Sequence, residues 1–189
     1  MDHKKAAKKA LRYLQGTKGL MLTYEKSDNL EVVGYSDADF AGCVDTKKST
    51  SGYIFTLAGG AISWKSSKQS VTASSTMQAE FVACYEATGQ AVWLKNFIPG
   101  LRVIDNISKP ITLYCDNQPA VIYSSNNKSS GAAKHIDMKY HVVKDRTQDQ
   151  TIRIKHIRTN EMLADPLTKG LPPSVFKEHV VGMGLAESL

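Results

Sequence analysis

One stretch, Thr76 to Ile98, constrains this 189-residue chain more than any other. Counted from Glu80 at i+3, i+4, i+7, i+11 and i+14, it carries Ala83, Cys84, Ala87, Ala91 and Leu94. Those positions share one face of a helix, and their side chains are small enough to lie close against a sheet. Ser75, followed three positions later by Gln78, has the capping-box spacing that starts such a helix. Pro99-Gly100 is expected to end it. A long helix with one small apolar face is a layer waiting for a sheet, which points to the α/β class.

The strands for that sheet are legible on both sides of it. Gly52 to Leu57 and Ile62 to Lys65, with Gly59-Gly60 between them, read as a hairpin, and Ser70 to Ala73 is a candidate extension. Leu20 to Tyr24 and Leu30 to Ser36 read as two strands around a turn-rich stretch and are candidates for a further hairpin. Ile111 to Cys115 is a compact apolar run that leads directly into a short helix ending near Ser124, a β-α unit. A polar loop over 124–131, a helix from Lys134 to about Asp145, a strand from Thr151 to Ile157, a short helix from Glu161 to Thr168 and a helical tail complete the expected order. It is preceded by a short basic helix over residues 4–14.

Composition removes several classes. Apolar residues at 42% and charged residues at 22% are globular values, which exclude disordered, collagen-like and coiled-coil chains. The N-terminus lacks a signal peptide's apolar stretch and no run of 18 apolar residues occurs, so a soluble, intracellular protein without membrane contact is expected. Cys43, Cys84 and Cys115 include no C-x-x-C pair and read as reduced thiols. With 24 Lys+Arg against 18 Asp+Glu the net charge is +6, a weak pointer to a polyanion. The excess is local: residues 134–158 hold seven basic against three acidic side chains. That stretch reads either as a phosphate-tracking surface or as a solvated helix face.

Carboxylates that do not look like surface fall at four places along the chain. Asp37 and Asp39 continue a strand face that carries Val33 and Tyr35, unless they form a turn. Glu80 lies on the apolar helix stripe, unless it serves as favourable charge near a helix start. Asp116 follows the strand 111–115 and Asp165 precedes Pro166, where either could cap a helix. Taken together, four acids at sheet ends suit hard divalent cations, which take oxygen ligands and can clamp an in-line phosphoryl displacement. Rival chemistries lack their signatures: the five histidines show no zinc spacing, and no P-loop, nucleophile elbow or dinucleotide fingerprint occurs.

The segments Tyr35-Ser36-Asp37-Ala38-Asp39-Phe40-Ala41-Gly42, Lys48-Ser49-Thr50-Ser51-Gly52-Tyr53, Ile62-Ser63-Trp64-Lys65, Ala79-Glu80-Phe81, Cys115-Asp116-Asn117, Lys134-His135-Ile136-Asp137 and Ala164-Asp165-Pro166-Leu167-Thr168-Lys169 occur in this order. In them the sequence closely resembles the ribonuclease H domain of copia-type retrotransposon Pol polyproteins. The resemblance implies a ribonuclease H fold, a central mixed five-stranded sheet flanked by helices on both faces. It implies hydrolysis of the RNA strand of RNA-DNA hybrids during reverse transcription, with two Mg²⁺ ions for which Mn²⁺ can substitute. The alternative is an idle hybrid-binding or structural module of the same fold.

By the same resemblance Asp37, Glu80, Asp116 and Asp165 are the catalytic, metal-holding acids. Asp37 bridges both metals, Asp165 completes the nucleophile-side metal, and Glu80 and Asp116 hold the leaving-group metal. The candidate nucleic-acid contacts are Gln118, Asn117, Ser75, Lys139 and Lys144, of which Gln118 resembles a residue that meets the RNA in the minor groove. His156 is the nearest candidate for the loop histidine of cellular ribonucleases H, yet it reads as strand. His135 reads as structural. Ala10 to Thr17 resembles the end of a reverse transcriptase region. Residues 1–29 are therefore expected to be a remnant of that region, 30–170 the ribonuclease H domain and 171–189 a tail, cytoplasmic in a virus-like particle or nuclear. No Tyr-x-Asp-Asp motif occurs, so polymerisation is not expected.

Overall fold

The computed structural model describes residues 2–26, 30–102, 109–125 and 134–187, with the backbone alone for residues 2 and 134–137. The elements in chain order are α1 (Asp2–Thr17), β1 (Leu20–Leu22), β2 (Val33–Asp39), β3 (Thr50–Leu57), β4 (Gly60–Lys68), α2 (Thr76–Gly100), β5 (Ile111–Cys115), α3 (Gln118–Ser125), α4 (Lys134–Gln148), β6 (Ile152–His156), α5 (Pro173–Gly182) and β7 (Leu185–Glu187). Two 3₁₀ turns, Thr159–Glu161 and Asp165–Leu167, lie between β6 and α5.

Five strands form one mixed sheet in the order β4-β3-β2-β5-β6. The β2-β3 and β3-β4 pairs are antiparallel, while β2-β5 and β5-β6 are parallel. The expected hairpin is β3-β4. Its two-residue loop has Ala58 at φ 52° and Gly59 at φ 74°, the positive dihedrals that match a tight turn to strand twist. Strand β2 is where antiparallel pairing gives way to parallel. The carboxyl ends of β2 and β5 lie side by side there, the place where an open α/β sheet gathers its chemistry.

Each sheet face is covered as the fold class requires. On one face the α2 stripe, with Phe81, Cys84, Ala87, Ala91 and Leu94 buried, packs with Phe55, Ile111, Leu113 and Cys115 and with Tyr140 and Val143 of α4. Burying each of the larger side chains contributes roughly 1.5–3 kcal/mol. The opposite face buries Ile54 and Ala61 under Met162, Ala164 and Met183, so the 3₁₀ turns and α5 form its cover.

Several expectations are corrected. Leu20–Leu22 makes no hairpin with the next strand but pairs antiparallel with Leu185–Glu187. That pairing is possible because Gly184, at φ 80°, turns the chain back after α5, and its carbonyl receives the Thr23 N–H at 2.8 Å. Residues 70–73 form no strand, and 161–168 is two single turns rather than one helix. Pro99 does not stop α2, which runs to Gly100, and the Leu101 and Arg102 N–H groups close its end on the Ile98 and Pro99 carbonyls, each at 3.0 Å. Of the expected loop 124–131, residues 126–131 lie outside the described residues, as does the side chain of His135.

Candidate active site

Three of the four acids, two from the sheet and one from α2, meet at the β2 and β5 ends. Asp37 is the fifth residue of β2 and 1% exposed, Glu80 points from the second turn of α2 and is 6% exposed, and Asp116 directly follows β5. Asp165 opens the second 3₁₀ turn on the other face of the sheet and is 5% exposed. Two ligand trios result, Asp37-Asp116-Asp165 and Glu80-Cys115-Asp116, each with its ligand atoms within 4.8 Å of one another. Asp116 belongs to both. The resemblance gives the bridging position to Asp37, whereas in the geometry without metal the shared member is Asp116.

The capping alternatives can be read directly. Asn117 Oδ1, not Asp116, accepts the Ala120 N–H at 3.0 Å and so starts α3. Asp165 makes no side-chain cap to its own turn. Ser75 Oγ accepts the Gln78 N–H at 3.2 Å, which completes one half of the expected box. The Gln78 side chain reaches Ser74 instead of Ser75, through the Ser74 N–H and hydroxyl. Glu80 thus has no part in starting α2.

Two residues beyond the predicted set are built into the site. Thr168 Oγ1 donates to Asp37 Oδ2, and Lys169 Nζ lies 3.4 Å from Asp37 Oδ1 and 3.1 Å from Asp165 Oδ1. The latter pair is an ion pair off the line of a hydrogen bond, so Asp165 Oδ1 is buried without a donor. Their signal was the spacing i+3 and i+4 from Asp165, which returns both side chains to the same end of a single turn. The turn is anchored from below: Ser66 Oγ of β4 donates to the Leu167 carbonyl at 2.6 Å. Gly52 of β3 lies so close beneath it that a Cβ would come within 2.7 Å of Thr168 Cγ2.

Burial and mutual repulsion dominate the electrostatics. Burial, reinforced by Asp37, Cys115 and Asp116, pushes Glu80 up to about 10. Burial also raises Asp37, against Thr168 and Lys169, and raises Asp165 against Lys169. Although burial works against its charge, Lys169 is held above the usual lysine range by Asp37 and Asp165. Among the described residues, one ammonium faces four clustered carboxyl groups. A hard divalent cation fits the carboxyl oxygens of this set, though not the Cys115 thiol, because it supplies the missing charge and gives Asp165 Oδ1, which accepts no hydrogen bond, a ligand.

The chain is 41% identical over 184 residues, 96% of its length, to the retrovirus-related Pol polyprotein from transposon TNT 1-94 of Nicotiana tabacum. It is 33% identical over 184 residues to the corresponding polyprotein from transposon RE1 of Arabidopsis thaliana. It spans 14% and 12% of those relatives' lengths. Among solved structures it resembles LC11 ribonuclease H1 isolated from compost, at a TM-score of 0.54 and 17% identity, covering 73% of this chain and 92% of that one. The N-terminal ribonuclease H domain of rv2228c from Mycobacterium tuberculosis gives 0.51 at 13% identity, covering 80% and 97%. The chain is a homologue of retrotransposon Pol polyproteins and has the ribonuclease H fold. The resemblance read from its motifs is borne out at that level. No protein-family model matches it. The LC11 enzyme has also been solved in complex with an RNA/DNA hybrid, and that structure gives a TM-score of 0.52 at 12% identity, covering 73% and 94%.

In this ribonuclease H fold the other candidate residues take the following places. Gln118, the first residue of α3, is exposed two positions after Asp116. Lys139 Nζ sits 4.0 Å from the centre of the Tyr85 ring and Lys144 Nζ 5.8 Å from that of Tyr140, so both lysines lean on aromatic faces along α4. His156 is exposed at the end of β6, with Nε2 3.2 Å from the Asp116 carbonyl. Asp39, on the same strand face as Asp37, folds its carboxylate over Gly42 and joins neither trio. Cys84 and Cys115 are buried free thiols and Cys43 a partly exposed one. No described helix is long and apolar enough to cross a membrane.

Proposed function

We propose that this chain is a metal-dependent endonuclease that hydrolyses the RNA strand of RNA-DNA hybrids, as the ribonuclease H part of a copia-type Pol polyprotein. The observation that carries the reading is the pair of ligand trios sharing Asp116, set at the carboxyl ends of β2 and β5. Asp37, Asp116 and Asp165 would hold one divalent ion, and Glu80 with Asp116 a second. Bound there, Mg²⁺ would offset charge on the scissile phosphate and make a water a better nucleophile. The protein's own contribution is positional: three layers of the fold bring acids 37, 80, 116 and 165 together before substrate arrives, which reduces reorganisation during the reaction.

Gln118, exposed beside Asp116, is assigned to the RNA strand, and Asn117 to fixing the start of α3 next to it. Ser75, Lys139 and Lys144 are assigned to the hybrid backbone, where lysines exchange counterions for phosphate. Residues 30–170 carry the nuclease. Residues 1–29 and 171–189, whose strands β1 and β7 pair, form its flank toward the reverse transcriptase region in the longer polyprotein. The site of action in this reading is intracellular.

The deciding experiment is incubation with an end-labelled RNA-DNA hybrid in Mg²⁺, Mn²⁺, Ca²⁺ or chelator. RNA-strand cleavage in Mg²⁺ and Mn²⁺ is expected, with inhibition by Ca²⁺, which prefers longer and looser coordination. Full activity in chelator would overturn the metal assignment. Hybrid binding without cleavage would establish the idle-module alternative.

A further inference from the structure

Lys169 is held unlike an ordinary surface lysine. Its side chain is 36% exposed, yet its ammonium lies 3.4 Å from Asp37 Oδ1 and 3.1 Å from Asp165 Oδ1, carboxylates that are nearly inaccessible. These two acids make up two thirds of the Asp37-Asp116-Asp165 trio. The ammonium therefore sits on one oxygen of each of two carboxylates that a divalent ion would use. Resting on the metal-site reading above, we infer that Lys169 is a tethered cation that neutralises the Asp37-Asp165 side of the site before metal binds and is displaced from it when metal enters.

The physics favours exchange over coexistence. A Mg²⁺ ion needs its carboxylate oxygens at about 2.0–2.1 Å, so an ammonium on the same oxygens would face a double positive charge at close range. Lys169 is also loosely placed for an ion pair at buried acids, because its hydrogen bond to Asp37 Oδ1 is long, at 3.4 Å, and its 3.1 Å contact with Asp165 Oδ1 is poorly aligned. A four-carbon stem lets the charge swing outward. The residue that follows, Gly170, has open space where a side chain would project. Thr168 stays behind as a neutral donor to Asp37, so the turn need not come apart when the lysine leaves.

Such a cation has two opposed effects. Without metal it lowers the repulsion among Asp37, Asp116 and Asp165 and keeps the 165–169 turn closed over β2. With metal it is a competitor, so it weakens affinity and sets the ion concentration at which the site fills. A permanent bracing ion pair would differ on the second point, since removing a brace would not tighten metal binding.

Calorimetric titration of the full chain with Mn²⁺ tests this on the wild type, Lys169→Met and Lys169→Arg, without any substrate. Lys169→Met is expected to bind Mn²⁺ more tightly, by up to about fivefold, as loss of a partly exposed competing ion pair predicts. It should melt at a lower temperature in chelator and show a larger rise in melting temperature on adding Mn²⁺. Lys169→Arg should stay near the wild type. Equal or weaker binding by Lys169→Met overturns the inference while leaving the metal site in place, whereas no Mn²⁺ binding by any of the three removes the metal-site reading and this inference with it. Should Lys169→Met not fold in chelator, reductive methylation of the wild type followed by peptide mass spectrometry gives the answer. Lys169 should be modified several-fold faster in saturating Mg²⁺ than in chelator, with Lys177 as the internal reference, and equal rates overturn the inference.

Discussion

Thr168 Oγ1 donates a hydrogen bond to Asp37 Oδ2, which ties a turn near the end of the chain to a strand 131 residues earlier. The same hydroxyl also reaches the Asp165 carbonyl at 3.1 Å. One side chain therefore fixes both the orientation of a buried carboxylate and the turn that presents another. Thr168→Val keeps the shape and removes the donor. It is expected to destabilise the metal-free chain by about 1–3 kcal/mol, the cost of leaving a buried acceptor without its partner. Urea unfolding at pH 7 measures this, and a loss below about 0.5 kcal/mol, within the range of an ordinary surface change, would show that the bond carries little.

Asp37 and Asp39 share a strand face, but only Asp37 belongs to a ligand trio. Asp37→Asn is expected to lower the rate of hybrid cleavage about 10²-fold or more, as loss of a metal ligand's charge implies. Asp39→Asn should keep substantial activity. Single-turnover rates in Mg²⁺ decide, and the reverse order would move the metal-holding role to Asp39.

Asp116 and Asn117 are neighbours with separable tasks. Because Asn117 starts α3, Asp116→Asn should abolish cleavage while leaving the circular dichroism spectrum and hybrid affinity nearly unchanged. Asn117→Ala should instead cost about 1 kcal/mol of stability through the lost cap. Unfolding of Asp116→Asn would return the capping role to Asp116.

The metal-free protein should lose stability as pH rises. Glu80, pushed up to about 10 by burial and its acidic neighbours, holds a proton in the folded state that the unfolded chain has already released above its ordinary pKa of 4.5. The unfolded state then binds fewer protons, so unfolding free energy falls between those limits, by up to about 1.4 kcal/mol per pH unit for one full proton. Asp37 and Asp165, also raised, add with the same sign. Urea unfolding in chelator at pH 5 and pH 8 should show the decline, and Glu80→Gln should flatten it. A wild-type chain that is more stable at pH 8 would contradict this electrostatic picture.

How much was legible beforehand follows from the range of each interaction. The α2 stripe, the β3-β4 hairpin and the 111–115 strand are set by neighbours a few positions apart, so periodicity and turn residues sufficed to place them. Strand β1 was legible as a strand over Leu20 to Tyr24, but nothing local marked what it pairs with. Its partner, β7, lies over 160 positions away, and with no registering turn between them only the folded chain could bring them together. Pro99 was read as a stop, yet the helix runs one residue past it and is closed by the Leu101 and Arg102 N–H groups.

The four acids divide in the same way. Their identity and their position at element ends came from the sequence alone, and the motif resemblance singled out Asp37, Glu80, Asp116 and Asp165 together. Spacing could not tell a cap from a ligand, because Asp before a helix suits both. The tertiary structure decided that, by letting Asn117 take the α3 cap and by burying Asp37, Glu80 and Asp165 together. It alone also placed Thr168 and Lys169 on Asp37. A turn's own geometry returns both side chains toward Asp165, but only the packing of that turn over Gly52 and Ser66 puts β2 beneath them.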